Sequence, residues 1–479
     1  GNVGIGETVP EAPIHVKGSS FPVAVFERTV GSGTTGASST LRLKTTTTGN
    51  MADTFGTEIQ FSIEDGTATN QPVGAINAVR AGADNTGNLQ FISYSTGSQV
   101  KNLVLDANSR ISLSNNDSGG ASNTIFGYTA AAAFDGDEAS NVVIGHQAGL
   151  SINEDASDNN VIIGATAATG GAAVISGSIV IGSDAFNSTA ANAHTGSMAI
   201  GYQSLTAITS GIRNQAVGYV SLATMDGSET DNCAFGYYTG AIMNNSASDQ
   251  NTMIGNYAMS AITTGQVEDA VAVGFEALKG AAGTAGQGTV AIGSQSLKAL
   301  TSGAGNTAVG YQSLDAQVTG DNNTAIGYSA LGANAVADGA GNNTAVGFEA
   351  AKLLVTGVDN VVIGSAALDA ADGTESYNVC IGSGAMGAVD EGGGEANFNV
   401  CIGRNAGLGG VSTEFNSNIA IGYGAFDGSS SQLISNVVAI GHEALSGAVE
   451  DEAAGTVAIG YNALTALTSG GKNTAVGYQ

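Results

Sequence analysis

Proline stops early in this sequence. Pro10, Pro13, Pro22 and Pro72 are the only four in 479 residues, and the 407 residues after Pro72 contain none. Proline removes a backbone donor, so long hydrogen-bonded ladders exclude it, whereas a loop-rich globule rich in Gly, Ser and Asn would use it freely. There are 72 glycines but no Gly-X-Y period, which excludes a collagen triple helix. Tryptophan is absent, so a core must be filled by Val, Ile, Leu and Ala. Basic residues are scarce: 13 against 41 acidic, a net charge of −28. That leaves no basic footprint for nucleic acid and disfavours an anionic membrane surface. The same surplus keeps a long particle soluble, with repulsion that salt relaxes. Cys233, Cys380 and Cys401 form no Cys-x-x-Cys and no His/Cys cluster, so neither zinc nor a disulfide framework is indicated; Cys380 and Cys401 are expected to be free and buried. No apolar run approaches the roughly 20 residues of a membrane helix. With no signal peptide or initiator Met, and with both ends in mid-pattern at Gly1 and Gln479, the chain reads as a piece of a longer protein.

What is present is a repeat. Hydrophobic residues make up 42% and recur regularly, which argues against disorder. From residue 123 the pattern Asn-x-small-Ile/Val-Gly-Tyr-x-Ala-Leu returns again and again, as in Asn306 to Leu314 and Asn323 to Leu331. Its anchor glycines are Gly127, Gly145, Gly164, Gly182, Gly201, Gly218, Gly236, Gly255, Gly274, Gly293, Gly310, Gly327, Gly347, Gly364, Gly382, Gly403, Gly422, Gly441, Gly460 and Gly477. These 20 units are spaced 17 to 21 residues apart, too short for a helix-pair repeat.

Each column of the repeat has a physical reading. Val or Ile precedes nearly every anchor glycine, as a short buried strand would require. Ala dominates two residues before it, on the opposite strand face. A repeated small residue suits close packing, so Ala199, Ala291, Ala308, Ala325 and Ala458 are expected to form a chain–chain face. Asn stands four residues before the glycine in 14 of 20 units, where it suits a left-handed turn or a stacked hydrogen-bonding ladder. The glycine fits a bend that admits no Cβ. Ala, Ser or Thr follows three residues after it, then mostly Leu, Met or Phe, marking a second inward corner. The acidic residues fall in variable stretches between these columns, such as Asp135 to Glu138, Glu154-Asp155 and Glu450 to Glu452.

The segment before the array is different. Short period-two runs at Phe21–Val25, Leu41–Leu43, Ile59–Ile63, Leu103–Leu105 and Ile111–Leu113 read as antiparallel strands. The fold class is therefore all-β: a connector over 1–16, an antiparallel β domain over 17–120, and over 121–479 a parallel β-solenoid (β-roll) with one coil per glycine. Twenty coils at the strand spacing give a rod of roughly 95 Å. So thin a coil encloses little core, which favours a cyclic oligomer.

Gly1-Asn-Val-Gly-Ile-Gly6 followed by Pro13-Ile-His-Val16 resembles the connector of bacteriophage tail fibres and related appendage proteins. Leu103-Val-Leu-Asp106 through Asn116 is similar to the strand closing the β domain of such fibres. The Asn-x-x-Ile/Val-Gly array resembles the head repeats of trimeric autotransporter adhesins, although those repeats are shorter. The resemblance implies a homotrimeric structural fibre of a virion appendage that attaches to a host surface, with a host glycan or protein receptor as partner. It leaves open a cell-surface trimeric adhesin or a tailspike that degrades glycans, and places the chain on a virion or an extracellular surface.

Catalytic motifs are few. The acidic loops are read as solvated charge rather than as carboxylate pairs. The Gly-Gly-x-Gly-x-Asp repeat of calcium-binding β-rolls is missing. There is no Gly-x-Ser-x-Gly elbow and no P-loop, and Gly392–Gly394 lack the Lys of a phosphate cradle. Tyr after the glycine, as at Tyr128, Tyr202, Tyr219, Tyr237, Tyr311, Tyr328, Tyr423, Tyr461 and Tyr478, suits either a sugar-stacking stripe or a structural ladder, and the ladder is preferred. His146 and His442 stand in that column; His15 and His194 stand alone. A Thr array for ice binding fails, because Thr307, Thr324 and Thr344 give way to other residues elsewhere. We expect no enzyme, no cofactor, no nucleic-acid partner and no membrane insertion.

Overall fold

The anchor glycines set the geometry. In a computed structural model of the protein their φ angles lie between +130° and +153°, a region that side chains exclude. A Cβ built on Gly310 would overlap the carbonyl oxygen of Gly327 in the next coil, and the same holds from coil to coil along the array. The structure describes strand residues 3–5, 14–16, 56–63, 71–80, 87–95 and 98–105. It also describes 123–479, apart from 135–137, 153–155, 171–173, 188–193, 226, 244–247, 263–264, 281–285, 317, 333–340, 372–373, 390–395, 410–414, 429–433 and 448–452. The expected strands at Phe21–Val25, Leu41–Leu43 and Ile111–Leu113, and most of the acidic loops named above, lie outside the described residues.

The chain divides into two units, Gly1–Ser109 and Arg110–Gln479. In the first, Val3–Ile5 pairs in parallel with Ile14–Val16. Four strands, Gly56–Ile63, Gln71–Arg80, Gly87–Ser95 and Ser98–Leu105, form an antiparallel meander. Pro72 falls in an inner strand, where a ladder donor is normally needed, and the register shifts beside it at Phe61/Ser62.

The second unit is the parallel solenoid. Twenty three-residue strands run from Thr124–Phe126 to Thr474–Val476, each paired with the next and each ending immediately before an anchor glycine. Register is kept column by column, so that Thr307, Thr324 and Thr344 are stacked, as are Ala308, Ala325 and Ala345. No helix is present among the described residues. Beyond each glycine the chain turns through two left-handed residues, for example Gln312 (φ +55°) and Leu314 (φ +50°). A third left-handed residue stands just before the Asn column, as at Asn322 (φ +56°) and Asp359 (φ +57°). The left-handed turn thus falls one residue before the stacked Asn, and the Asn itself serves the ladder.

The Ala column is the main correction. Ala199, Ala291, Ala308, Ala325 and Ala458 are each 0% exposed within a single chain, so they line the coil interior and form no chain–chain face. The Val/Ile column beside it points outward instead; Ile326 is 40% exposed. The reason is room. A coil with one short strand and two tight turns has a narrow lumen, and the strand can offer only a small side chain to it. Leu205, Leu278 and Leu331 enter from the turn after the glycine. Two further columns also enter: the seventh residue after the glycine (Ile152, Ile208, Met225, Leu300, Leu354) and the seventh before it (Ile175, His194, Phe415, Ile434). Strand alternation then sends the β-branched residues to the outer face.

Candidate interaction surface

The outer strand face is two columns wide. The column next to the glycine holds 13 Ile, 5 Val and 2 Phe; the column two residues further back holds Val, Ile, Thr, Met198, Cys233 and Gln215. None of these 40 residues is charged, although the chain carries 54 charged side chains. Most are half-buried by their neighbours, and Phe126, Phe235 and Ile254 are more exposed. Twenty strands at about 4.8 Å, each two outward residues or about 7 Å wide, make a strip of about 650 Å². That exceeds the scattered apolar exposure normal on a soluble surface.

Beyond the glycines runs the aromatic column. Tyr202 stacks on Tyr219 at 5.2 Å and Tyr219 on Tyr237 at 5.3 Å. Tyr311, Tyr328 and Phe348 form a second run, and Tyr423, His442, Tyr461 and Tyr478 a third. Tyr128 stacks on His146. In these runs each ring face lies against the next ring, with interplanar angles of 23° or less, leaving chiefly edges to solvent. A sugar needs a free ring face, so the geometry supports a structural ladder over a sugar-stacking stripe.

A charged strip lies on the turn after the glycine. The Glu276 carboxylate meets Lys279 and Lys298, each at 2.8 Å, and these hydrogen bonds hold its pKa down to about 2. Partial burial, ahead of any neighbouring charge, raises the pKa of Asp315, Asp369 and Asp427. Those three residues belong to the coils of Gly310, Gly364 and Gly422, separated by three coils each, or about 14 Å by strand spacing, too far apart to act as a carboxylate pair.

The buried polar groups are largely structural. Asn360 lies inside; its Nδ2 donates to Glu375 O at 2.7 Å and its Oδ1 accepts from Asn378 N–H at 2.9 Å. The same double grip on the following coil recurs at Asn123, Asn343, Asn378, Asn399 and Asn418. Cys380 and Cys401 are stacked partners, both buried and free, and burial pushes the Cys401 thiol up to about 12. Cys233 is free and half-exposed on the outer face. Glu138, expected in a solvated loop, is instead 1% exposed. His194 is fully buried against Phe186. Its Nδ1–H donates to Gly211 O at 3.1 Å, Nε2 has no partner, and burial lowers its pKa.

In the meander Ile59, Ile76 and Phe91 are register partners across three strands, with Ile59 and Phe91 exposed. Among the described residues no three His, Cys, Asp or Glu side chains are grouped to hold a metal ion, and no helix is long and apolar enough to cross a membrane. The fold and this face define a class, a stacked parallel β-solenoid with an uncharged outer sheet face. No family model, curated protein or solved structure matches the chain.

Proposed function

We propose that the protein is a structural fibre of a virion appendage, a homotrimer that serves host-surface attachment and does no catalysis of its own. The supporting observation is the unbroken ladder of twenty in-register strands over one continuous core. Such a unit acts as a stiff spacer. Every coil repeats the same backbone device, so the chain invests in length and leaves recognition to variable loops. The connector resemblance of Gly1–Gly6 and Pro13–Val16 favours a virion over a cell surface. Immunogold labelling of the source particle with antibody to this chain tests it: label along a virion appendage supports the reading, and label on a cell envelope replaces it with an adhesin. Incubation with host polysaccharide, with new reducing ends as the readout, separates both from a glycan-degrading tailspike.

A further inference from the structure

We propose that Cys380, Cys401 and Met386 form a binding site for one soft monovalent metal ion, Cu(I), inside the solenoid. The site lies within a single chain and stands whether or not that chain is a fibre.

Sulfur is concentrated at one level of the lumen. Cys380 and Cys401 are register partners in consecutive coils, on the inward column that most other coils fill with Ala. Both thiols point the same way, toward the fourth residue after the anchor glycine. In the first coil that residue is Met386, whose Sδ accepts the Cys380 S–H at 3.3 Å. In the next it is Gly407. A Cβ built there would fall on Cys401 Sγ, with Met386 Cγ 3.6 Å from the same point. Leu, Met or Phe holds that position in 13 of 19 coils, so glycine here leaves its space to the second thiol. Cys380, Cys401 and Met386 are all fully buried.

Spacing favours a metal over a disulfide. Side chains that point alike on adjacent rungs lie ~4.8 Å apart. A disulfide needs Cβ atoms ~3.8 Å apart. Two metal–thiolate bonds of ~2.3 Å in line span ~4.6 Å, so one ion fits between the two sulfurs. Softness and ligand count select the ion. Thiolate and thioether sulfur favour Cu(I), whereas Zn(II) asks for four ligands in a tetrahedron. The buried amides of the same coils, Asn378 and Asn399, are committed to the ladder. Methionine is flexible, so Met386 can turn its thioether onto the ion as a third ligand. Burial raises both thiol pKa values, so each thiol holds its proton until the ion displaces it. Uptake breaks two S–H bonds, forms two Cu–S bonds and releases two protons to water, with no electron transferred. One net negative charge remains, half that of two bare thiolates.

The test uses the full chain carrying Cys233→Ser, which removes the half-exposed thiol of the outer face. Cu(I) is supplied without oxygen from a chelator buffer. It is given both to the native chain and during refolding from urea, because an ion enters a closed lumen only as coils part. Native mass spectrometry should find one copper per chain, and X-ray absorption should show sulfur neighbours at about 2.3 Å. From pH 6 to pH 7 the affinity, corrected for the chelator's own protonation, should rise about 100-fold, as two released protons require; binding to one thiol would give about tenfold. Amide protection in Val379–Ile381 and Val400–Ile402 should rise at least about tenfold with copper. Cys380→Ala with Cys401→Ala restores the residue usual in that column, so this chain should fold and lose the copper. Met386→Leu, the commonest residue at its position, should keep the copper with at least about tenfold weaker affinity. Copper taken up by neither preparation, copper retained by the double-alanine chain, or a one-proton slope overturns the site.

Discussion

At the residue scale the solenoid is governed by backbone conformations that most residues avoid. Each coil places three positions in the left-handed region and a glycine beyond it, and it fills the left-handed positions largely with non-glycine residues such as Leu314, Leu331 and Gln250. A left-handed non-glycine residue costs roughly 1–2 kcal/mol, so the ladders must over-determine it. The glycine has no such latitude. Gly310→Ala introduces a Cβ into the Gly327 carbonyl at φ +140°, and backbone cannot step aside as a flexible side chain would. We expect a loss of at least about 3 kcal/mol from strain and overlap together, read as a fall in the denaturant midpoint. His194 makes a second prediction. It is buried neutral, with its pKa lowered below 6.5, so the unfolded chain binds the proton more readily. Stability is then complete above pH 6.5 and falls as pH drops below it. Relative to the intrinsic exchange rate at each pH, amide protection in the coils of Gly201 and Gly218 should fall between pH 6.5 and 5 in the wild type and much less in His194→Leu.

At the element scale the coupling between coils comes from the Asn column as much as from the strands. Asn360→Ala removes one hydrogen bond from the Glu375 carbonyl and the side-chain acceptor of the buried Asn378 amide. With each stranded buried group costing about 1–3 kcal/mol, a loss of about 3 kcal/mol is expected, well beyond that of an exposed substitution such as Gln250→Ala. The Glu276 cluster predicts an acid window. Its pKa is depressed from 4.5 to about 2, so its contribution is present above pH 4.5 and is lost as pH falls toward 2. Its lysine partners are a third or more exposed, so after screening we expect about 1 kcal/mol, measurable as the difference between wild type and Glu276→Gln across that window. This is also the scale at which the sequence was most legible. Spacing and absent proline located the twenty three-residue strands, because one glycine conformation is needed per coil, but not the short second pairs Ile175–Ser176 with His194–Thr195 and Phe415–Asn416 with Ile434–Ser435. The inside and outside of the strand were inverted, because a period of two states which residues share a face and says nothing of which face is covered. The apolar residues seven from the glycine, such as Ile208 and Ile434, were hidden inside loop-like stretches; aligning all coils on the glycine would have exposed that column.

At the scale of the whole molecule the solenoid is nearly one-dimensional, since each coil touches only its neighbours, and its stability is a sum of coil and interface terms. Those terms are unequal. The Asn column is unbroken for seven coils from Asn306 to Asn418 but is interrupted by Ser178 and Ser197, by Ala270 and Thr289, and by Val437 and Thr456. At the interruptions the grip on the next coil is reduced: Ser197 N–H reaches Ser178 Oγ at 3.3 Å, while the Thr289 and Thr456 hydroxyls are buried without partners. Opening should therefore start at these weak joints and spread until it meets a long Asn run. Hydrogen exchange on the intact chain should show the greatest protection in the strands from Thr324–Ile326 to Val400–Ile402, and less around Ile179–Met198 and Val271–Val290. Replacing Ala270 and Thr289 together by Asn should extend the ladder from Asn251 to Asn306 and raise protection across that joint by about tenfold, the equivalent of one added net hydrogen bond of about 1.4 kcal/mol. Uniform protection along the rod would mean that the strands alone set the coupling and that the Asn ladder adds nothing beyond them.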